Sequence, residues 1–83
     1  MHIKKPGIEE IIMVIVAKQM PVSKERITLE TTFTNDLAAD SLDLAELQME
    51  LEVAFDLEIS NEDAENLLTI GETVDYIKKQ VQR

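Results

Sequence analysis

A chain of 83 residues has room for one small domain, since single domains usually run to roughly 100 to 150 residues, and residues 1–83 read as a single unit. Cysteine and tryptophan are absent and His2 is the single histidine, which excludes disulfides, thiolate metal sites, thiol nucleophiles, histidine triads and multi-histidine metal centres. Eight basic against 17 acidic side chains give a net charge of −9, which disfavours direct binding to a nucleic-acid backbone.

The charge is unevenly spread. Residues 36–75 hold 13 of the acids, from Asp36 to Asp75, and no Lys or Arg. Such a run reads either as a solvated acidic surface or as a face that docks basic partners. Apolar runs are broken by charges well short of the roughly 18 residues that span a bilayer. Glu9 and Glu10 follow the basic pair Lys4 and Lys5 too closely for a signal peptide. The expectation is a soluble, cytoplasmic protein without a membrane anchor.

Ile8, Ile11, Ile12 and Ile15 recur at i, i+3, i+4 and i+7, with Pro6 suited to a helix start and Pro21 to a stop. This predicts a first helix near residues 6–19. From Met20 to Asp40 the pattern gives way to Thr28, Thr31, Thr32, Thr34 and Asn35, with Ile27, Leu29, Phe33 and Leu37 as anchors. That segment reads as a long loop. A Thr-rich edge strand is the alternative, but a lone strand has nowhere to place its backbone hydrogen bonds.

The second helix is predicted from Ser41 to about Asp56, with Asp40 as N-cap and Asp43 three residues on. Ser60 with Asp63 repeats the signature before a short helix through Leu67. Thr69 with Glu72 repeats it before a last helix ending near Gln82, whose inner face carries Val74, Ile77 and Val81. The fold class is all-α, a four-helix bundle with a long first loop and a short third helix.

The second helix has two apolar stripes. Leu44, Leu47, Leu51, Ala54 and Phe55 share about a third of the circumference and form the core face. Leu42, Ala45, Met49 and Val53 lie opposite, bordered by Asp43, Glu46 and Glu50 on one flank and by Glu52 and Asp56 on the other. An apolar stripe ringed by acids suits docking in a partner's groove, although isolated exposed apolar residues are common. At the head of the same helix, Ser41 is spared a capping role by Asp40. Its hydroxyl is free for modification, and an ester phosphate there would meet unpaired backbone N–H groups and the positive end of the helix dipole, opposed by Asp40 and Asp43.

Two catalytic or metal-binding alternatives fail on chemistry. Asp56, Glu58, Ser60 and Glu62 alternate as in a calcium loop, but the sixth position is Asn61 instead of Gly and the twelfth is Leu67 instead of Glu. A hydrolase built from carboxylates alone would need a core able to bury and perturb them, and a core this small supplies only about 3 to 5 kcal/mol of net stability. No metal ligands and no catalytic residues are assigned.

The run Asp36-Leu37-Ala38-Ala39-Asp40-Ser41-Leu42-Asp43, continued by Glu46-Leu47, Leu51-Glu52, Phe55-Asp56-Leu57-Glu58-Ile59, Thr69-Ile70-Gly71 and Val74-Asp75-Tyr76-Ile77, resembles the acyl carrier proteins over nearly the whole chain. The resemblance implies a phosphopantetheine arm on Ser41, attached from coenzyme A by a magnesium-dependent phosphopantetheinyl transferase. Its thiol would hold growing acyl chains as a thioester and present them to enzymes of fatty-acid synthesis. The protein itself would not be an enzyme. By the same resemblance, Asp40, Leu42, Asp43, Ala45, Glu46, Met49 and Glu52 would meet acyl-processing enzymes that carry basic docking patches, the chain acting as a monomer. Leu47, Leu51, Phe55, Ile59, Leu67 and Leu68, aliphatic but for one residue, are the expected acyl-chain pocket. Carriage for polyketide or other specialised acyl transfer, and an unmodified interaction module of the same fold, are the alternatives. Two positions depart from the family pattern. Ala38 stands where Gly is usual, and alanine would cost on the order of 1 kcal/mol if the loop needs positive φ there. Val53 stands where many fatty-acid carriers have Glu, which extends the apolar stripe and bears on partner choice.

Overall fold

The computed structural model describes residues 7–20 and 22–81; the expectations that fall on His2, Pro6, Pro21 and Gln82 lie outside them. Among the described residues there are four α-helices: α1 (Ile8–Gln19), α2 (Ser41–Phe55), α3 (Asn61–Glu65) and α4 (Ile70–Val81). A single 3-10 turn (Lys24–Arg26) interrupts the connection from α1 to α2. The fold is the expected helical bundle. Both α2 and α4 pack on α1.

Local chemistry sets the helix ends. Asp40 caps α2: its Oδ1 accepts from the Asp43 N–H at 2.9 Å while Asp43 Oδ2 accepts from the Asp40 N–H at 3.2 Å, so two unpaired donors are satisfied reciprocally. Ser60 Oγ accepts from the Asp63 N–H at 3.0 Å to start α3. Thr69 Oγ1 accepts from the Glu72 N–H at 3.1 Å, and Glu72 Oε1 takes the N–H groups of both Thr69 and Leu68, at 3.0 and 2.8 Å. α2 stops where Asp56 turns left-handed at φ 53°.

The core collects Ile12, Val16 and Met20 from α1 and its end, Leu47 and Leu51 from α2, and Ile70, Val74 and Ile77 from α4, with Ile27, Phe33, Leu37, Ala39 and Ile59 supplied by the connections. Leu44 and Phe55 are only half-buried against it. Three expected anchors lie elsewhere. Ala54 is exposed at the rim of a shallow groove between α1 and α2, where its single methyl does not bridge the gap. Val81 ends α4 one turn past Ile77 and is exposed. Leu29 is also exposed, because its backbone and not its side chain is the anchor.

That backbone contact answers the hydrogen-bond problem of the long loop. The loop lies against the junction between α3 and α4, where Gly71 N–H donates to Leu29 O at 2.8 Å, Ile70 N–H to Thr31 O at 3.0 Å and Phe33 N–H to Leu68 O at 3.1 Å. Thr32 and Thr69 form an isolated antiparallel bridge, so the segment is a loop with one bridged residue instead of a strand. Next, Asp36 Oδ2 accepts from the Thr32 N–H at 2.8 Å and the Asp36 N–H donates to Thr32 Oγ1 at 3.1 Å, closing a tight turn. Ala38 then takes φ 53°, which lets the Ala39 N–H return to Phe33 O at 2.9 Å.

Across the bundle, Tyr76 Oη donates to Asp63 Oδ2 at 2.8 Å and ties α4 to α3. Burial first, then this hydrogen bond and the charges of Asp63 and Glu52, push the Tyr76 phenol above its ordinary value.

Three outcomes test this frame. Ala38→Gly relieves a left-handed alanine and should stabilise the fold by about 0.5 to 1 kcal/mol, after allowance for the freer unfolded chain, read as a rise in Tm. Gly71→Ala should destabilise by about 1 to 3 kcal/mol, because the new Cβ would stand 2.9 Å from Leu29 O, the acceptor that the Gly71 N–H needs. Tyr76 is the single tyrosine, so phenolate absorbance reports it alone. Its midpoint should lie above about 10 and fall in Asp63→Asn without returning fully, since burial remains. A phenol raised in the folded state contributes stability in full below about pH 10 that is lost as pH rises through the folded value. An unchanged titration in Asp63→Asn would remove the bond from the account.

Candidate functional site

Ser41 opens α2 and is exposed. The reciprocal cap between Asp40 and Asp43 occupies the groups on either side of it, and the Ser41 hydroxyl makes no hydrogen bond to any described residue. No histidine lies among the described residues, and the flanking carboxylates are committed to the cap, so nothing in place would activate the hydroxyl as a nucleophile.

Ser41 also stands on the lining of a cleft of about 600 Å³ between α2 and the α3–α4 arm. Leu47, Leu51, Ile59, Leu67 and Leu68 are brought together around that cleft, with Leu44, Phe33 and Ala64. Leu47, Leu51 and Ile59 are buried, while Leu68 is exposed at the rim. Phe55 is not part of the lining. It lies a turn past Glu52, whose Oε2 accepts from the Ile59 N–H at 2.8 Å and draws the next segment across α2.

Sequence pattern does not place Phe33, Thr34, Gln48, Asn61, Glu65 or Thr73 at the pocket, yet all six line the cleft. Thr73 carried a usable signal, since Ile70, Thr73, Val74 and Ile77 follow the i, i+3, i+4, i+7 pattern of an inward face, and all four are buried. Phe33 and Thr34 reach the cleft only through the docked loop, which no local pattern reveals.

The expected docking residues divide. Leu42 and Met49 are about two-thirds exposed, and Ala45 and Glu46 are exposed beside them. Val53 is 83% exposed and continues the stripe. Asp40 and Asp43 sit at the helix start, held by the cap. Glu46 Oε1 accepts a hydrogen bond from Gln19 of α1. Glu52 turns away from the stripe toward Ile59 and is half-buried. Among the described residues no group of three or more potential ligands could hold a metal ion, and no helix is long and apolar enough to cross a membrane.

The geometry fits a covalently borne group: an exposed serine with a free hydroxyl, at a helix start, opening on a largely apolar cleft. A protein-family model described as the phosphopantetheine attachment site matches residues 10–77. Among solved structures, the acyl carrier protein from Enterococcus faecalis, described for its high thermal stability, is similar at 35% sequence identity with a TM-score of 0.76, the match covering 87% of this chain and 91% of that one. Covalent phosphopantetheine is therefore the prosthetic group, and the chain serves the enzymes that modify it and process its acyl groups without being an enzyme itself. By the family match, which spans most of its length, and by the structural likeness at that identity, the chain belongs to the phosphopantetheine-bearing acyl carrier proteins.

Proposed function

We propose that Ser41 bears the phosphopantetheine and that the chain, acting as one carrier domain over residues 1–83, holds acyl groups for fatty-acid synthesis. The observation that carries this reading is the unengaged Ser41 hydroxyl at the mouth of the cleft. The arm supplies a thiol, which a cysteine-free chain lacks, and on it an acyl chain is held as a thioester. The chain's own residues do the rest. Asp40 and Asp43 fix the helix start so that Ser41 is presented at the surface. Leu47, Leu51, Ile59, Leu67 and Leu68 offer hydrocarbon surface, each buried methylene of a guest adding about 0.8 kcal/mol before the cost of ordering it. Leu42, Ala45 and Met49, with Glu46, Asp43 and Asp40 beside them, form a face for enzymes with basic docking patches, among them the phosphopantetheinyl transferase. The protein works in the cytoplasm as a monomer.

Val53 supports a second reading. Its exposed side chain widens the apolar stripe and thins its acidic border, which suits a carrier for polyketide or other specialised acyl transfer. The acyl group found on protein isolated from its host decides between the two.

Incubation with coenzyme A, magnesium ions and a carrier transferase should add the mass of one phosphopantetheine, and Ser41→Ala should abolish the gain. That substitution should change stability by less than about 1 kcal/mol, since the side chain is exposed and unbonded. Labelling that persists in Ser41→Ala sinks the assignment. On the docking face, Glu46→Lys should slow association with basic partner enzymes and flatten its salt dependence, whereas Met49→Ala should chiefly speed dissociation. Unchanged binding in both, with the helical signal intact, places the docking face elsewhere.

A further inference from the structure

The cleft does not have a purely hydrocarbon lining. On the side where α2 faces the start of α3, the Gln48 amide lies in the wall, with Nε2 donating to Ile59 O at 2.8 Å and to Asn61 Oδ1 at 3.3 Å. Four residues on, Glu52 Oε2 accepts from the Ile59 N–H at 2.8 Å. Both backbone polar groups of a buried residue are thus held by two side chains one turn apart on α2, and the segment entering α3 is clamped there.

The clamp spends the hydrogens of the Gln48 amide and leaves its oxygen over. Gln48 Oε1 has no partner among the described residues, and the side chain is half-buried in the cleft lining, so solvent serves the oxygen. Deeper in, Thr73 is 1% exposed and its hydroxyl already donates to Thr69 O at 3.0 Å, so it too has only acceptor capacity to offer. A saturated chain lying across these atoms would remove the water from Gln48 Oε1 and return nothing, and an acceptor left unmade costs more than an ordinary hydrogen bond gains. A guest carrying a donor would replace that water.

We propose that Gln48 is a specificity-determining residue of the cleft, its amide oxygen accepting a hydrogen bond from a hydroxyl on the acyl chain, so that hydroxylated acyl groups are held better than saturated ones of the same length. This rests on the reading above, in which Ser41 carries the acyl group beside the cleft. Gln48 Nε2 keeps the wall in place and Gln48 Oε1 reads the guest. Thr73 Oγ1 offers a second acceptor in the same lining.

The test uses the full chain bearing the bare arm, an octanoyl group, or hydroxyoctanoyl groups with the hydroxyl at successive carbons. Each form is verified by mass, in wild type and in Gln48→Met, which keeps the length of the side chain and loses its hydrogen bonding. In wild type at least one hydroxylated form should melt about 4 to 8 °C above the octanoyl form, the shift expected for one hydrogen bond in a domain of this size. In Gln48→Met that gap should close. Loss of the bond to Ile59 O lowers all forms of the variant together and cancels in the difference. If Gln48→Met does not fold, the Gln48 side-chain amide resonances of the wild type serve instead, and they should move with hydroxylated and not with saturated guests.

Equal melting of all hydroxylated and saturated forms overturns the proposal, as does a gap that survives in Gln48→Met. A Gln48-dependent gain already present with the bare arm also overturns it, since the oxygen would then serve an amide of the arm. Failure of the underlying reading looks different. A wild type that gains no mass, or a Ser41→Ala variant that still gains it, removes the attachment site, and core methyl resonances of Leu47, Leu51 and Ile59 that ignore every acyl group remove the cleft; either result takes the inference with it.

Discussion

Everything near Ser41 depends on where the long loop finds partners for its backbone. A connection of this length cannot cross a helical bundle with bare N–H and C=O groups, and here they are met by the junction between α3 and α4 through three backbone hydrogen bonds. With residues 29–33 fixed against residues 68–71, Phe33 is driven into the core and Thr32 meets Asp36. The chain then reverses through the left-handed Ala38 and delivers Asp40 to the start of α2. The serine is presented because the loop behind it is latched to the junction between α3 and α4. Gly71 is the tightest point of that latch, since Leu29 O approaches it where a side chain would stand.

The acidic run has a structural use that composition alone does not suggest. With no base between residues 36 and 75, five of its 13 carboxylates are matched to backbone N–H groups instead of cations. Asp36, Asp40, Asp43, Glu52 and Glu72 each accept from a main-chain donor at a turn or helix start, Asp63 accepts from Tyr76, and Glu46 accepts from Gln19. The ion pair found among the described residues, Lys24 with Glu10, lies outside the run. Charge-assisted bonds of this kind are stronger than neutral ones and place negative charge at the positive ends of helices. The acids therefore hold the caps.

Sequence pattern reached as far as the interactions are local. The three capping signatures at Asp40, Ser60 and Thr69 formed as expected, because each is closed by residues within four positions, and helix starts followed from them. The two stripes of α2 were also legible, since periodicity along one helix needs no partner. What escaped depends on distant residues. Leu29 reads as an apolar anchor but is held by its carbonyl; Ala54 and Val81 fit the inward period but lie where no neighbour closes over them. Ala38 was visible as a departure from the family pattern, and its left-handed backbone gives that departure a physical cost. Gln48 was invisible as anything but a polar residue between two stripes, because its partners, Ile59 and Asn61, become neighbours only when α3 folds back.

The division of α2 into sectors explains why the cleft lies where it does. One sector is occupied by α1, on which α4 also packs, so α1 is the wall that cannot move without losing the core of Ile12, Val16, Ile70 and Ile77. A second sector, with Leu42, Met49 and Val53, is exposed. The remaining sector faces α3, a helix of five residues tied in by Gln48 and Glu52 at Ile59, by Gln48 at Asn61 and by Tyr76 at Asp63, with Ile59 buried in the core and Ala64 packed against it. The polar ties are each worth about 1 kcal/mol net, whereas each buried aliphatic side chain, on the α1 side and at Ile59 alike, is worth about 1.5 to 3 kcal/mol. The cleft opens beside these polar ties, at the start of α2 where Ser41 stands. The cleft lining includes the core residues Phe33, Leu47, Leu51 and Ile59, and of the two side chains that hold the Ile59 backbone only Gln48 stands in that lining.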